Sequence, residues 1–133
     1  MNIWVNGCFD IIHCGHIDLL TYAKNLNGDD NTLIVGLDTD ERVKENKGSE
    51  RPINDLPTRI KLMRSLWMVD GVVFFKSDSE LREYIKKLEI DYMVIGDQYS
   101  KAIGEENSKF GVKYYKVGDE STTNIIDKIK NLK

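Results

Sequence analysis

The fold is decided by residues 2–37, which read NIWVNGCFDIIHCGHIDLLTYAKNLNGDDNTLIVGL. Asn2 to Asn6 predicts a short strand. From Gly15 to Leu26 apolar residues recur at helical spacing, which predicts a helix with Gly28 as its stop. Thr32 to Leu37 is a continuous apolar run, typical of a strand buried on both faces. The stretch therefore predicts one strand–helix–strand unit with parallel strands.

The same two patterns continue along the chain. Further strands are predicted at 71–75, 91–96 and 112–117. Further helices are predicted at the start of the polar segment 38–55, from a cap at Asn54-Asp55 through Ile60, Met63 and Trp67, around Leu81 to Leu88, and from Thr122 to Leu132. The alternation predicts an α/β, Rossmann-like architecture, with a mostly parallel five-stranded sheet and helices on both faces.

Length and composition limit the classes of function. The chain has 133 residues, of which 41% are hydrophobic and 31% charged, and this predicts a single domain over residues 1–133. It contains no run of 18 apolar residues and no N-terminal signal pattern, so we expect a cytoplasmic protein without a membrane span. The net charge of −3, without a basic block, argues against broad nucleic-acid binding. A small phosphorylated ligand remains compatible with this charge.

The two histidines of the chain, His13 and His16, lie where the first loop becomes a helix. A helix N-terminus offers N–H groups and partial positive charge to a phosphate, and Gly15 lets a ligand approach the backbone. Two imidazoles three residues apart could stabilise charge on one phosphate. The alternatives are structural histidines, a zinc site that includes Cys8 and Cys14, or a redox pair of these two thiols, against a background expectation of reduced cysteines.

His13-Cys14-Gly15-His16 matches the HxGH signature of the cytidylyltransferase-like nucleotidyltransferase superfamily, and residues 7–12, GCFDII, resemble its GxFDxxH stretch. The resemblance implies that His13 and His16 are catalytic. It implies that Gly7, Cys8, Phe9 and Gly15 bind nucleotide. Asp10 is a candidate for orienting the acceptor or a lysine, with a loop cap as the alternative.

Two later segments extend the resemblance. Residues 121–126, STTNII, look like bacterial heptose 1-phosphate adenylyltransferases, which implies that Ser121, Thr122 and Thr123 hold a triphosphate. A plain helix cap is the alternative. Gly96-Asp97 resembles a GDD or GGD stretch of the family, which makes Asp97 a candidate for contacts to nucleotide or metal.

Four cations between the second strand and the third predicted helix are candidates for phosphate contacts. Residues 47–54, KGSERPIN, resemble the KGxxRPxN stretch of the same adenylyltransferases. Arg59 matches an arginine of related glycerol-3-phosphate cytidylyltransferases. The resemblance implies catalytic roles for Lys44 and Arg59 and substrate contacts for Lys47 and Arg51. Solvated surface charge is the alternative.

The reaction implied by the resemblance is an in-line attack of an acceptor phosphate on the α-phosphorus of a nucleoside triphosphate. Pyrophosphate leaves, Mg²⁺ accompanies the triphosphate, and neither a protein nucleophile nor a metal site built from protein side chains is expected. The motifs favour ATP and a sugar phosphate such as heptose 1-phosphate. The chain length keeps open a CTP-dependent glycerol-3-phosphate cytidylyltransferase that makes CDP-glycerol, although residues 117–123 lack the arginine of that family's RTEGISTT stretch.

Two further expectations concern the class of protein and its assembly. A catalytically silent nucleotide-binding module is the alternative from another class, which intact HxGH and loop lysines disfavour. The resemblance implies a homodimer, and the apolar pair Trp67-Met68 lends it weak support.

Overall fold

Five parallel strands form one sheet in the order β3-β2-β1-β4-β5 in a computed structural model that describes residues 1–28, 30–119 and 121–132. The strands are β1 (Asn2–Gly7), β2 (Thr32–Asp38), β3 (Gly71–Phe75), β4 (Tyr92–Gly96) and β5 (Val112–Tyr115). The helices are α1 (Cys14–Lys24), α2 (Asp40–Lys47), α3 (Leu56–Arg64), α4 (Asp78–Lys87) and α5 (Thr122–Lys130). This confirms the predicted α/β, Rossmann-like architecture, with a sheet that is parallel throughout.

The strand order places a ligand site. Strands β1 and β2 pair in register from Asn2–Thr32 to Gly7–Leu37, so they end level with each other. The chain order reverses beside β1, which pairs with β2 on one side and with β4 on the other. In open parallel sheets ligands bind outside the carboxyl ends of the strands at such a reversal. The loops after β1 and β4 therefore form the expected site.

Alternate residues of β1 enter two separate cores. Ile3 and Val5 are fully buried in one core with Leu20 of α1 and Met63 of α3. Trp4 points to the other core, in a cluster that includes Phe75, Leu81 and Ile85. Because successive side chains of a strand point to opposite faces, helices cover both faces of the sheet, as the sequence predicts.

Several element ends differ from the sequence predictions, among them the end of α5, which lies at Lys130 instead of Leu132. Helix α1 ends at Lys24, because the N–H of Asn25 already closes its last turn, so Gly28 lies beyond the helix instead of stopping it. Helix α3 ends at Arg64 instead of reaching Trp67, whose indole is 69% exposed. Strand β5 ends at Tyr115, two residues before the predicted end.

In the part of the chain that the structure describes, no helix is both long and apolar enough to span a bilayer.

Candidate active site

The loop after β1 bends sharply at Phe9, whose φ of 48° lies in the left-handed region. The buried ring of Phe9 packs against the imidazole of His16, with 5.1 Å between ring centroids. A Cβ on Gly7 would lie 3.3 Å from the same ring, so the lack of a side chain at position 7 leaves room for the ring at this bend. Strained backbone of this kind is common at functional sites. The bend therefore places the Phe9 ring in contact with the imidazole of His16.

The Nδ1 atoms of both histidines accept backbone N–H groups at the start of α1. Nδ1 of His13 accepts the N–H of Gly15 at 3.0 Å, and Nδ1 of His16 accepts the N–H of His13 at 3.1 Å. The rings stack with 3.9 Å between centroids. Because each Nδ1 accepts a hydrogen bond, each neutral imidazole carries its proton on Nε2. Each of the two rings at the N-terminus of α1 therefore carries its N–H on Nε2.

His16 is a neutral donor at physiological pH. Burial, the neighbouring His13 and the charge of Lys47 lower the pKa of His16 from 6.5 to about 4. Because its Nδ1 already accepts the N–H of His13, neutral His16 can interact with a phosphate oxygen only by donating its Nε2–H. This suits stabilisation of developing negative charge by a fixed hydrogen bond.

The thiols are not arranged for nucleophilic or metal chemistry. The Cys8 thiol lies 3.7 Å from Asp38 Oδ2, to which it donates, and burial followed by the charge of Asp38 raises the pKa of Cys8 to about 11. Cys8 is therefore a protonated thiol. Both Cys8 and the exposed Cys14 are free, so no disulfide joins them. Within residues 1–28, 30–119 and 121–132, no group of three or more His, Cys, Asp or Glu side chains could hold a metal ion, so the zinc alternative has no support there.

A second helix N-terminus meets the same loop. The hydroxyl of Ser121 caps α5 by accepting the N–H of Asn124 at 3.0 Å. The hydroxyl of Thr122 donates to the carbonyl of Ile11 at 2.9 Å, which ties α5 to the loop 111 residues earlier in the chain. The positive ends of two helix dipoles thus meet at the carboxyl edge of β1.

Asp10 anchors the loop between α2 and α3. Its buried carboxylate accepts the N–H groups of Ile53 and Asn54, both at 2.8 Å, and the Nε–H of Arg51 at 3.2 Å. The side chain of Asn54 returns a bond to the Asp10 carbonyl at 2.9 Å. These contacts correspond to the loop-cap alternative, because the donors that occupy the carboxylate come from the protein itself.

Arg59 is a buried connector, which differs from its expected role as a phosphate bridge. Its Nε donates to the carbonyl of Asn54 at 3.0 Å, and Nη1 donates to the carbonyls of Cys8 and Asp38 at 3.0 and 2.8 Å. Nη2 pairs with Asp40 at 2.7 Å, and the side chain is fully buried. Because its donors already meet four protein oxygens, the geometry favours a positioning role over contact with phosphate.

The remaining predicted cations differ in their effect on the histidines. Lys44 and Lys47 are exposed in the last turn of α2. The charge of Lys47 opposes part of the rise in the pKa of Cys8 and adds to the fall in the pKa of His16. Lys47 is therefore the lysine whose charge acts on the histidine loop.

Asp97 stands at the carboxyl end of β4, exposed to solvent. Its carboxylate accepts the N–H of Val117 at 3.3 Å, and its own N–H donates to Tyr115. A Cβ on Gly96 would lie 2.1 Å from Gln98 Oε1, so glycine allows this close turn. The described contacts join Asp97 to the segment after β5, at the same edge of the sheet as the histidine loop.

The sequence reasoning missed Asp38 and Asn54. Asp38 ends β2, and its carboxylate accepts from Arg42 Nε at 2.8 Å and from the Cys8 thiol. The i,i+4 spacing of Asp38 and Arg42 is a signal that could have identified this pair. Asn54 is the last residue of the KGSERPIN segment. Its hydrogen bond to Asp10 joins residues far apart in the sequence, so no local sequence pattern could have indicated it.

Replacing Arg59 tests the connector. We expect Arg59→Ala to lower the free energy of unfolding by about 3–5 kcal/mol, because it leaves buried acceptors unpaired. Arg82→Ala, at an exposed position of α4, should change it by less than about 0.5 kcal/mol. Urea unfolding measures both. Equal small effects would contradict the connector role.

The pH dependence of stability tests the state of His16. Its pKa in the folded protein lies below the unfolded value of 6.5, so the unfolded chain binds the proton first. The stabilisation is complete above pH 6.5 and is lost as the pH falls toward about 4. The imidazole resonance of His16 should titrate near pH 4, and His16→Asn should remove this part of the stability loss. Titration of His16 near 6.5 would refute the assignment.

Comparison with known proteins assigns the family. Residues 4–132 match the family model described as cytidylyltransferase-like. The bifunctional protein HldE of Campylobacter fetus is 44% identical over 130 residues, covering 96% of this chain and 28% of the relative. HldE of Helicobacter hepaticus is 42% identical over 133 residues, covering 98% and 27%. The chain thus spans less than a third of the length of these relatives.

Solved structures agree on the fold. A lipopolysaccharide core biosynthesis protein from Thermoplasma volcanium matches with a TM-score of 0.69 and 26% identity, over 91% of this chain and 98% of its own. A protein of unknown function from Archaeoglobus fulgidus matches with a TM-score of 0.66 and 18% identity, over 92% and 94%, and shows the fold alone. With the family model matched over residues 4–132 and the HldE relatives in agreement, the chain belongs to the cytidylyltransferase-like family.

Proposed function

We propose that the protein transfers a nucleoside monophosphate, with ATP as the favoured donor, to a phosphorylated sugar such as heptose 1-phosphate. The observation that carries the proposal is the stacked His13–His16 pair at the N-terminus of α1, beside the N-terminus of α5. Together they offer several fixed donors to a chain of phosphates. The HldE relatives and the KGSERPIN and STTNII segments support the choice of donor and acceptor.

The chemistry needs positioning and charge stabilisation. An oxygen of the acceptor phosphate attacks the α-phosphorus, and the bond from this phosphorus to the bridging oxygen of pyrophosphate breaks. The Nε2–H groups of His13 and His16 donate to the α-phosphate oxygens, where negative charge builds. Lys47 adds positive charge near the same loop. Holding both reactants in line supplies much of the remaining rate.

Mg²⁺ is proposed to arrive with the triphosphate. The carboxylates of Asp10 and Asp38 already accept hydrogen bonds from protein donors. Together with the lack of a metal-ligating cluster in the described part of the chain, this means that the residues themselves do not fit a resident metal ion. Phosphate oxygens and water would complete the coordination of magnesium.

The proposal includes a homodimer through the edge strand β3. Phe74 is 50% exposed there, between a groove of about 590 Å³ whose charged residues are Lys61 and Arg64 and one of about 350 Å³ whose charged residues are Glu80, Glu83 and Lys87. A two-fold axis near Phe74 would bring the basic groove of each copy against the acidic groove of the other.

Mutation of Phe74 tests this interface. We expect the protein to sediment as a dimer and Phe74→Glu as a monomer, because a buried unpaired carboxylate opposes association. Tyr99→Glu, at a similarly exposed aromatic residue after β4, should remain dimeric. A dimer that persists in Phe74→Glu would rule out this face.

The function is tested by pyrophosphate release with ATP, CTP, GTP and UTP, each paired with heptose 1-phosphate or glycerol 3-phosphate. ATP with heptose 1-phosphate should give the fastest release. His16→Ala should lower turnover by about a hundredfold or more, the scale of losing one preorganised donor, with unchanged circular dichroism. Asp18→Asn, at an exposed position of α1, should retain activity.

The outcomes separate the alternatives. Preference for CTP with glycerol 3-phosphate would replace the proposed donor and acceptor while keeping the reaction. No release above background with any pair would identify a silent nucleotide-binding module.

A further inference from the structure

The guanidinium of Arg51 has a buried donor to which the proposed reaction assigns no role. Its side chain is only 12% exposed, and its Nε donates to Asp10 at 3.2 Å. Nη1 lies 3.5 Å from the hydroxyl oxygen of Thr123. Nη2 is buried and has no hydrogen-bond partner, and it is alone in this among the buried side-chain nitrogen and oxygen atoms that the structure describes. An unsatisfied donor of a buried cation is costly, and an anionic oxygen would satisfy it.

The guanidinium is held at a defined place. Asp10 accepts from Arg51 and also from the backbone N–H groups of Ile53 and Asn54, so both the side chain and its loop are attached to the segment after β1. The Asp10 carboxylate is therefore shared among three donors. It orients the guanidinium through Nε and leaves the buried Nη2–H groups without a partner.

The N-terminus of α5 lies directly beside this guanidinium. Thr123 is in the first turn of that nine-residue helix, where N–H groups and the helix dipole favour an anion. Residues 117–123 read VGDESTT and include no cation. The positive side chain at this helix end thus comes from Arg51, 72 positions earlier in the chain.

The two helix ends are neighbouring parts of one anion site. The carbonyl of Ile11, two residues before His13, accepts from Thr122 at 2.9 Å. If the histidines at α1 hold the α-phosphate, the N-terminus of α5 is the neighbouring set of donors for the β- and γ-phosphates. A separate acceptor must attack from the side of the α-phosphorus opposite to those phosphates, since the displacement is in line.

We propose that Arg51 binds the β- and γ-phosphates of the nucleotide, and hence the leaving pyrophosphate, rather than the phosphorylated acceptor, with Asp10 as its positioning residue. This inference rests on the proposed function. As the bond from the α-phosphorus breaks, its electron pair stays on the pyrophosphate oxygen. The guanidinium then neutralises part of the charge on that leaving group.

The test measures each ligand separately with Arg51→Gln and Arg51→Lys. Calorimetry with pyrophosphate alone, in the absence of nucleotide and acceptor, should show affinity weakened by about ten- to hundredfold in Arg51→Gln, the scale of one charged hydrogen bond. Arg51→Lys should fall between, because it keeps the charge and loses the planar fork. The KM for the triphosphate should rise, and the KM for the acceptor and the affinity for nucleoside monophosphate should stay unchanged.

The controls make each outcome decisive. Arg82→Gln, at an exposed arginine paired with Glu106 far along the chain, should leave all four quantities unchanged. Retained affinity for nucleoside monophosphate shows that the variants are folded around the histidines. Unchanged pyrophosphate affinity in Arg51→Gln, or a rise confined to the KM of the acceptor, would overturn the inference. If the unsubstituted protein catalyses no transfer yet binds pyrophosphate through Arg51, the proposed function fails and the assignment of Arg51 stands.

Discussion

The buried guanidinium of Arg59 is the interaction on which the site depends. It joins the backbone after β1, the end of β2, the start of α2 and the loop before α3 through four hydrogen-bonded oxygens. A cation without solvent must keep such partners, because the loss of one leaves an uncompensated charge. Since β1 and β2 end level, this connector fixes the histidine loop relative to the helix that carries Lys47.

Near this connector, the backbone at the start of α1 orients the two imidazoles that are the proposed donors to phosphate. The same capping box that starts α1 also determines which nitrogen of each imidazole carries the proton. Burial then keeps His16 neutral, with a pKa of about 4, so its value to the reaction is a fixed N–H and not a charge. The positive charge is supplied separately, by Lys47 and by the Arg51 guanidinium that Asp10 holds. In the proposed function, this division explains how a protein of net charge −3 binds a chain of phosphates.

The spacing of apolar residues predicted those elements whose structure depends on neighbouring residues in the sequence. Residues 2–37 predicted the first strand–helix–strand unit, which the structure confirms, and the site that HxGH predicts after the first strand stays a prediction. The burial of Arg59 was beyond such patterns, because helical periodicity marks apolar faces and the partners of Arg59 lie up to 51 residues away. The same holds for Asp10, whose partners come from a loop more than 40 residues later. The prediction that α3 reaches Trp67 was wrong for a different reason. An apolar residue can follow at helical spacing although the helix has already ended, here at Arg64.

The most direct measurement of the central claim is the ¹⁵N spectrum of the imidazoles at pH 7, without and with an α,β-methylene analogue of ATP, which cannot be cleaved at the α–β bridge. The account predicts that His13 and His16 are both neutral and protonated on Nε2 in each state, and that both Nε2–H signals shift when the analogue binds. A protonated Nδ1 on either ring, or Nε2–H signals that do not respond to the bound analogue, would contradict it.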